Sequence, residues 1–351
     1  MDSPARLVGD GLENPANAYA LRDAAAMFGV PCLFRDGRGL AGRWSAERAG
    51  GPLHIIDSAE LLAAASTPIV AVENAPGATS VFGTAPPAGR PSVVVGNERL
   101  GVRPDVLRAA TRCVQIPMTG RGVNTLNVAS AAAVALHYLL AAAGRRTVRG
   151  TRPGSRRPAV LLLGPGDHVE AGSTLRSAAA FGWQTVGLDD RAKVWWGTPR
   201  PVRTEARAAA RSSRNPLKVV PVSAQPPLPA RRVVVAGLHL GGPALHRVDL
   251  TGGPETLLVI PDEEATGPAE QWRRLGPTVE FARLELPAVN VPYRYRLVAA
   301  IVLAEVARQL GTRAPGRAGP APRHRPRYDS ALALVDSPDA ELVSPAELES
   351  Y

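Results

Sequence analysis

The sequence predicts an α/β protein of two tandem domains, each a mostly parallel sheet flanked by helices. Three observations carry this. Short Val/Ile/Leu runs alternate with longer Ala-rich stretches along most of the chain, the pattern of repeated βα units. An Arg-, Gly- and Pro-rich stretch at 144–158, GRRTVRGTRPGSRRP, has no apolar periodicity and divides that pattern in two. The segments on either side repeat one another. A length of 351 residues suits about two domains of ordinary size.

Taken in order, residues 16–28 are Ala-rich and predict a first helix. Residues 68–72 (PIVAV) and 92–95 (SVVV) are short runs dense in valine, the composition of strands buried on both faces. Residues 129–142 form a longer Ala/Val/Leu stretch and predict a helix. Beyond the divide come a strand at 159–163 (AVLLL), a helix at 172–181, strands at 232–236 (RVVVA) and 256–260 (TLLVI), and a closing helix at 297–310.

Self-similarity links the two halves. NPANAYALRDAAAMFGV, from Asn14, aligns without gaps to DHVEAGSTLRSAAAFGW, from Asp167, when Phe28-Gly29 is laid on Phe181-Gly182. A Val-rich strand leading into GNERLG, from Gly96, has its counterpart in LLVIPDEEATG, from Leu257. CVQIPM followed by an Ala-rich helix parallels LELPAV followed by another. Three elements recurring in one order indicate a tandem duplication, with domains at 1–144 and 158–311 and an Arg-rich linker at 145–157. The remainder, 312–351, is Pro/Arg-rich and then acidic, and is expected to be disordered or loosely docked.

Composition narrows the function. Hydrophobic residues make up 45% and aromatics 5%, so the core is built from Ala, Val and Leu. No apolar run is long enough to span a bilayer, and the first residues carry acids where a signal peptide would be basic, so a cytoplasmic, non-membrane protein is expected. Cys32 and Cys113 are the only cysteines and the six histidines are scattered, which offers neither a disulfide scaffold nor a metal site. The formal net charge is +10, and all but two of the 41 basic residues are arginine. Asp329, Asp336, Asp339, Glu341, Glu347 and Glu349 lie in 329–351, which has no Lys or Arg, so residues 1–328 are six charges more positive still.

The three repeated elements of the first half resemble, in their order, the motifs of the SpoU (TrmH-type) RNA 2′-O-ribose methyltransferases of the SPOUT superfamily. The resembling residues are NPANAYALRDAAAMFGV, VVVGNERLG and IPMTGRGVNTLNVASAAAVAL, from Asn14, Val93 and Ile116 respectively, and the likeness runs from about residue 12 to 144. The second half, 158–311, resembles the family less closely. The resemblance implies α/β-knot domains, each closed by a C-terminal trefoil knot that forms the S-adenosylmethionine (SAM) site. It also implies a dimer whose two domains build each active site together.

Carried over residue by residue, the family's cofactor positions fall on Gly96, Ile116 and Leu126. A glycine ending a buried strand leaves the backbone open to a ligand, and the loops at Ile116 and Leu126 offer main-chain groups and apolar walls for an adenine. Glu98 is a polar anchor beside them, and Asn127 and Thr125 hold the loop around the reacting hydroxyl. Thr125 stands where the family has serine, and Glu170 where the second half would carry the motif's asparagine. The family's catalytic arginine belongs at the tenth position of the first motif. That position is Asp23 in the first half and Arg176 in the second. Arg22, one residue early, is rotated by about 100° on a helix. Conversely, VPYRY at 291–295 replaces NTLNV at 124–128, and PDEEATG replaces GNERLG. The losses are complementary. They imply a monomeric, intramolecular pseudo-dimer with one composite site, SAM on the first half and Arg176 from the second.

Guanidinium gives up a proton reluctantly, so Arg176 suits phosphate binding and stabilisation of the developing alkoxide better than general-base work. RNA, either tRNA or rRNA, is the expected partner. Arg203, Arg207, Arg211 and Arg214 are spaced four, four and three apart, one face of a helix, and suit a phosphate backbone. Trp195 and Trp196 are expected in the core and not stacked on bases. Two other classes are open at this stage: a SAM-dependent methyltransferase of a small molecule or peptide, and a non-catalytic RNA-binding pseudoenzyme.

Overall fold

A computed structural model describes residues 5–36, 53–63, 68–85, 87, 89–118, 126–141, 156–199, 217–222, 230–252, 255–262, 272–287, 293–311 and 341–343. The chain packs as two units. The first comprises Met1–Ile116, Asn127–Arg146 and Leu286–Leu297; the second comprises Pro117–Leu126, Thr147–Glu285 and Val298–Tyr351.

The first unit holds strands β1 (Arg6–Asp10), β2 (Cys32–Arg35), β3 (His54–Ile56), β4 (Ile69–Val72), β5 (Thr79–Ser80), β6 (Ser92–Val95) and β7 (Arg112–Gln115). All pair in parallel, in the order β3-β2-β1-β6-β4-β7-β5. Helices α1 (Pro15–Met27), α2 (Ser58–Ala63), α3 (Pro104–Ala109) and α4 (Val128–Leu136) accompany them, and α4 widens into a π turn over His137–Ala141. Val8, Leu33, Ile69, Val94, Val102 and Val106 share one buried cluster.

The second unit holds β8 (Ala159–Leu163), β9 (Thr185–Asp189), β10 (Leu217–Pro221), β11 (Arg232–Gly237), β12 (Thr256–Pro261), β13 (Thr278–Arg283) and β14 (Glu341–Val343), with α5 (His168–Ala180). The closing helix α6 (Tyr295–Gln309) begins in the first unit's share of the chain and continues in the second's. The strand order is β13-β11-β12-β8-β9-β10-β14. Read from the other edge, β10-β9-β8-β12-β11-β13 reproduces β3-β2-β1-β6-β4-β7 strand for strand. The duplication predicted from three motifs therefore extends to six strand positions, β1 and β8 lying 153 residues apart as the motif alignment requires.

Every valine-rich run predicted as a strand is one. β6, β8 and β12 are buried at every position, which is why they read as continuous apolar runs. Sequence reading missed β1, whose RLVGD is short and broken by glycine. At Gly9 a Cβ would come within 2.8 Å of a Leu21 side-chain methyl on α1, so the glycine lets the helix pack close. The first helix of each half starts at its cap: Asn14 accepts from the Ala16 amide with Pro15 next, and Asp167 accepts from the Glu170 amide. The latter places the start of α5 at 168, four residues before the expected 172.

Glu341–Val343 pairs antiparallel with β10 and completes the edge of the second sheet, so part of 312–351 is ordered strand. The stretches 145–155, 312–340 and 344–351 lie outside the described residues. Among the described residues, no helix is long and apolar enough to cross a membrane.

Candidate active site

The three motifs of the first half meet in a chain of side-chain hydrogen bonds. Asn127 is the N-cap of α4, its Oδ1 accepting from the Ala129 amide at 3.0 Å. That bond turns its Nδ2 toward Asn17, whose Oδ1 accepts at 2.9 Å. The Nδ2 of Asn17, in the first turn of α1, then donates to Glu98 Oε1 at 2.9 Å. Both amide orientations follow from the ends of the chain, a backbone donor at one end and a carboxylate that only accepts at the other. Glu98 also accepts from the Glu13 and Asn14 amides, at 3.1 and 3.3 Å, which draws its charge to the N-terminus of α1. Asn17 and Asn127 are buried, so this bonding holds them in place.

The loop that carries Glu98 is tied down from within. Asn97 donates to the Gly11 carbonyl at 2.7 Å and accepts from the Arg99 and Leu100 amides, while Asn97 and Gly101 form a backbone bridge. A Cβ on Gly96 would lie 2.0 Å from the Gly101 carbonyl carbon and 2.1 Å from the Val102 nitrogen. The space above Gly96 is therefore taken by the loop's own backbone. The glycine thus permits the tight return of the Glu98 loop. Gly101, at φ +71°, faces the Glu73 carboxylate, which accepts from the Val102 amide at 2.8 Å.

Asp10, Gly11, Asn97, Leu100, Gly101, Arg103 and Pro104 line a cavity of about 280 Å³ at the C-terminal ends of β1 and β6. There the chain order of the sheet reverses direction, the usual place for a ligand in an open parallel sheet. One wall is braced by Arg35, which bonds buried Asp10 at 2.7 Å and Asp105 at 2.7 Å. This bond to Arg35 holds the Asp105 carboxyl down to about 2.

The other sequence-predicted residues fall as follows. Ile116 immediately follows β7, and both Ile116 and Leu126 are buried. Arg176 lies on α5 in the second unit, only 8% exposed and engaged in interactions. Arg22 lies over the Tyr19 ring at 5.0 Å, and Asp23, at the arginine position of the motif, pairs with Arg294 at 2.7 Å. Thr125, Arg203, Arg207, Arg211 and Arg214 lie outside the described residues. Trp195 is buried in the core, as expected. Burial pushes the thiols of Cys32 and Cys113 upward, away from thiolate chemistry.

Sequence reading did not place Asn17 in the site, although it supplies the link between Glu98 and Asn127. The available signal was an amide three residues after the helix cap. Nor did it assign a role to Arg294, which the repeat sets opposite Asn127.

Residues 4–137 match the SpoU rRNA methylase family. No curated protein sequence matches the chain. Among solved structures, the chain is similar to the TrmH/SpoU tRNA modifying enzyme of A. aeolicus, at 21% identity over 40% of this chain and 75% of that one, with a TM-score of 0.34. It is similar to an RNA 2′-O ribose methyltransferase at 28% identity, over 42% and 58%, TM-score 0.34. A third is an AdoMet-bound rRNA methyltransferase from Sinorhizobium meliloti, at 18% identity over 40% and 56%, TM-score 0.34. The chain thus spans less than two thirds of the length of the latter two. Over residues 4–137, with motifs meeting at Asn17, Glu98 and Asn127, the first half of this chain matches the SpoU family of RNA methylases.

Proposed function

We propose that the chain is a SAM-dependent RNA methyltransferase acting on a ribose 2′-hydroxyl of tRNA or rRNA at one composite site. The observation that carries this reading is the Asn127–Asn17–Glu98 chain, which joins all three motifs in the first half. Burial of two apolar side chains at the expected adenine positions supports a SAM site here. Ile116 and Leu126 are buried apolar side chains beside a strand end and a helix start, suited to the faces of an adenine. When bound, SAM supplies an electrophilic methyl group on a sulfonium.

The chain's own residues do the rest. Asn127 and Thr125 hold the loop that faces the ribose, and Glu98, fixed through Asn17, keeps the motifs in register. Arg176 grips a phosphate of the RNA bidentately and stabilises the negative charge that develops on the hydroxyl oxygen, which is the electrostatic part of the catalysis. Positioning of the hydroxyl in line with the methyl group supplies much of the remainder. Arg176 comes from the half that lacks the cofactor motifs, and the half that retains them has Asp23 at the arginine position, which favours a single site in a monomeric pseudo-dimer of two knotted domains. Arg203, Arg207, Arg211 and Arg214 extend the RNA contact, and the cytoplasm is the compartment where such RNA is met.

The test is incubation of the protein with methyl-labelled SAM and total RNA, followed by nuclease digestion and nucleoside analysis. Label in 2′-O-methylnucleosides, with one SAM bound per chain by calorimetry, is the expected result. Label on small molecules or peptides, SAM binding at two sites, or RNA binding without SAM binding would each overturn it.

A further inference from the structure

Asp23 is the ninth residue of α1 and Arg176 the ninth of α5, so the two occupy one register of the repeat. Likewise Asn127 immediately precedes α4 and Arg294 immediately precedes α6. The repeat therefore contains two sets of these positions. One holds an arginine and an amide, Arg176 and Asn127. The other holds a carboxylate and a guanidinium, Asp23 and Arg294, and these are in contact: both belong to the first unit, where Arg294 Nε donates to Asp23 Oδ2 at 2.7 Å.

We infer that the Asp23–Arg294 pair is a second methylation site converted into an electrostatic clasp. The meaning of the two positions rests on the proposed function; the clasp itself does not. A carboxylate at 23 repels both an RNA phosphate and the anionic oxygen that methyl transfer develops, and a guanidinium at 294 repels the cationic sulfonium of SAM. Reversal of charge thus makes the set hostile to both reactants while making its two members attract each other. Asp23 is four-fifths covered and Arg294 about half exposed, so the pair is only partly screened by water. Pro261 adds to the conversion. It ends β12 where Gly96 follows β6 in the first half, and its ring cannot make the close return over the strand end that Gly96 allows. The second set therefore fastens the segment before α6 to α1 instead of taking a cofactor.

The test is a double-mutant cycle on the full chain, read by thermal unfolding and by hydrogen exchange of peptides within 286–297. Asp23→Asn and Arg294→Gln are each expected to lower Tm by about 1–3 °C, with the double variant no worse than the lower single, as for a partly exposed ion pair in a chain of this size. Asp23→Arg lowers it further, and Asp23→Arg with Arg294→Asp recovers most of the loss. In Asp23→Asn, exchange accelerates in peptides from 286–297 but not in the 159–163 strand, and the effects shrink in 1 M NaCl. Single variants that melt as the wild type, or reversal that adds the two losses without recovery, would overturn the clasp. No step of the cycle requires SAM or RNA. Coupling in a protein that methylates nothing would leave the clasp standing and sink the methyltransferase reading, and the opposite result would do the reverse.

Discussion

Asn127 donates its side-chain amide to Asn17 at 2.9 Å across a sequence separation of 110 residues, joining the N-cap of α4 to the first turn of α1. Because Asn17 passes the interaction on to Glu98, an amide buried between two helices sets the position of a carboxylate on a strand-end loop.

Replacing Asn17 therefore has consequences at both ends. Asn17→Ala leaves the buried Asn127 Nδ2 without its acceptor and removes one donor from Glu98, a loss of about 1–3 kcal/mol. Denaturant unfolding is expected to show it as a lower midpoint with unchanged slope. Asn17→Asp places a second carboxylate against Glu98 and is expected to be worse than alanine at pH 7 and to improve as the pH falls.

Gly96→Ala separates packing from ligand access. The added methyl group would sit 2.0 Å from the Gly101 carbonyl carbon, so the loop must move, and Tm is expected to fall in the absence of any cofactor. A variant that melts normally and loses only SAM affinity would return this glycine to the ligand-access role.

Arg176→Ala is expected to reduce methyl transfer by about 10²–10³-fold while leaving SAM affinity unchanged, the mark of an interaction made in the transition state. Lysine is expected to restore little, since it lacks the two-pronged geometry that a phosphate accepts. Turnover retained in the alanine variant would remove Arg176 from the reaction.

Asp105 gives the first unit a pH dependence of defined sign. Its carboxyl is held at about 2 in the folded protein by its bond to Arg35, below its ordinary value of 3.8. The stabilisation is therefore complete above about pH 4 and is lost as the pH falls from there toward 2. Urea midpoints at pH 5 and pH 3 are expected to differ more in the wild type than in Asp105→Asn.

Much of this protein is written locally. Runs such as SVVV and TLLVI are strands because a sheet covered on both faces needs apolar side chains at every position, and the ungapped match of Asn14–Val30 to Asp167–Trp183 exposes a duplication that the shared strand order extends. The charge-bearing details of the site were less legible. That Gly96 makes room for a crossing backbone is not written in its neighbours, and only the course of Gly101–Val102 reveals it. Asn17 is one amide among several until α1 packs on α4. Asp23 reads as a lost arginine until Arg294, 271 residues later, is found against it. Periodicity and composition are properties of neighbouring residues and survive in one dimension; a hydrogen bond or an ion pair depends on where two distant segments come to lie, and only the folded chain brings them within 3 Å.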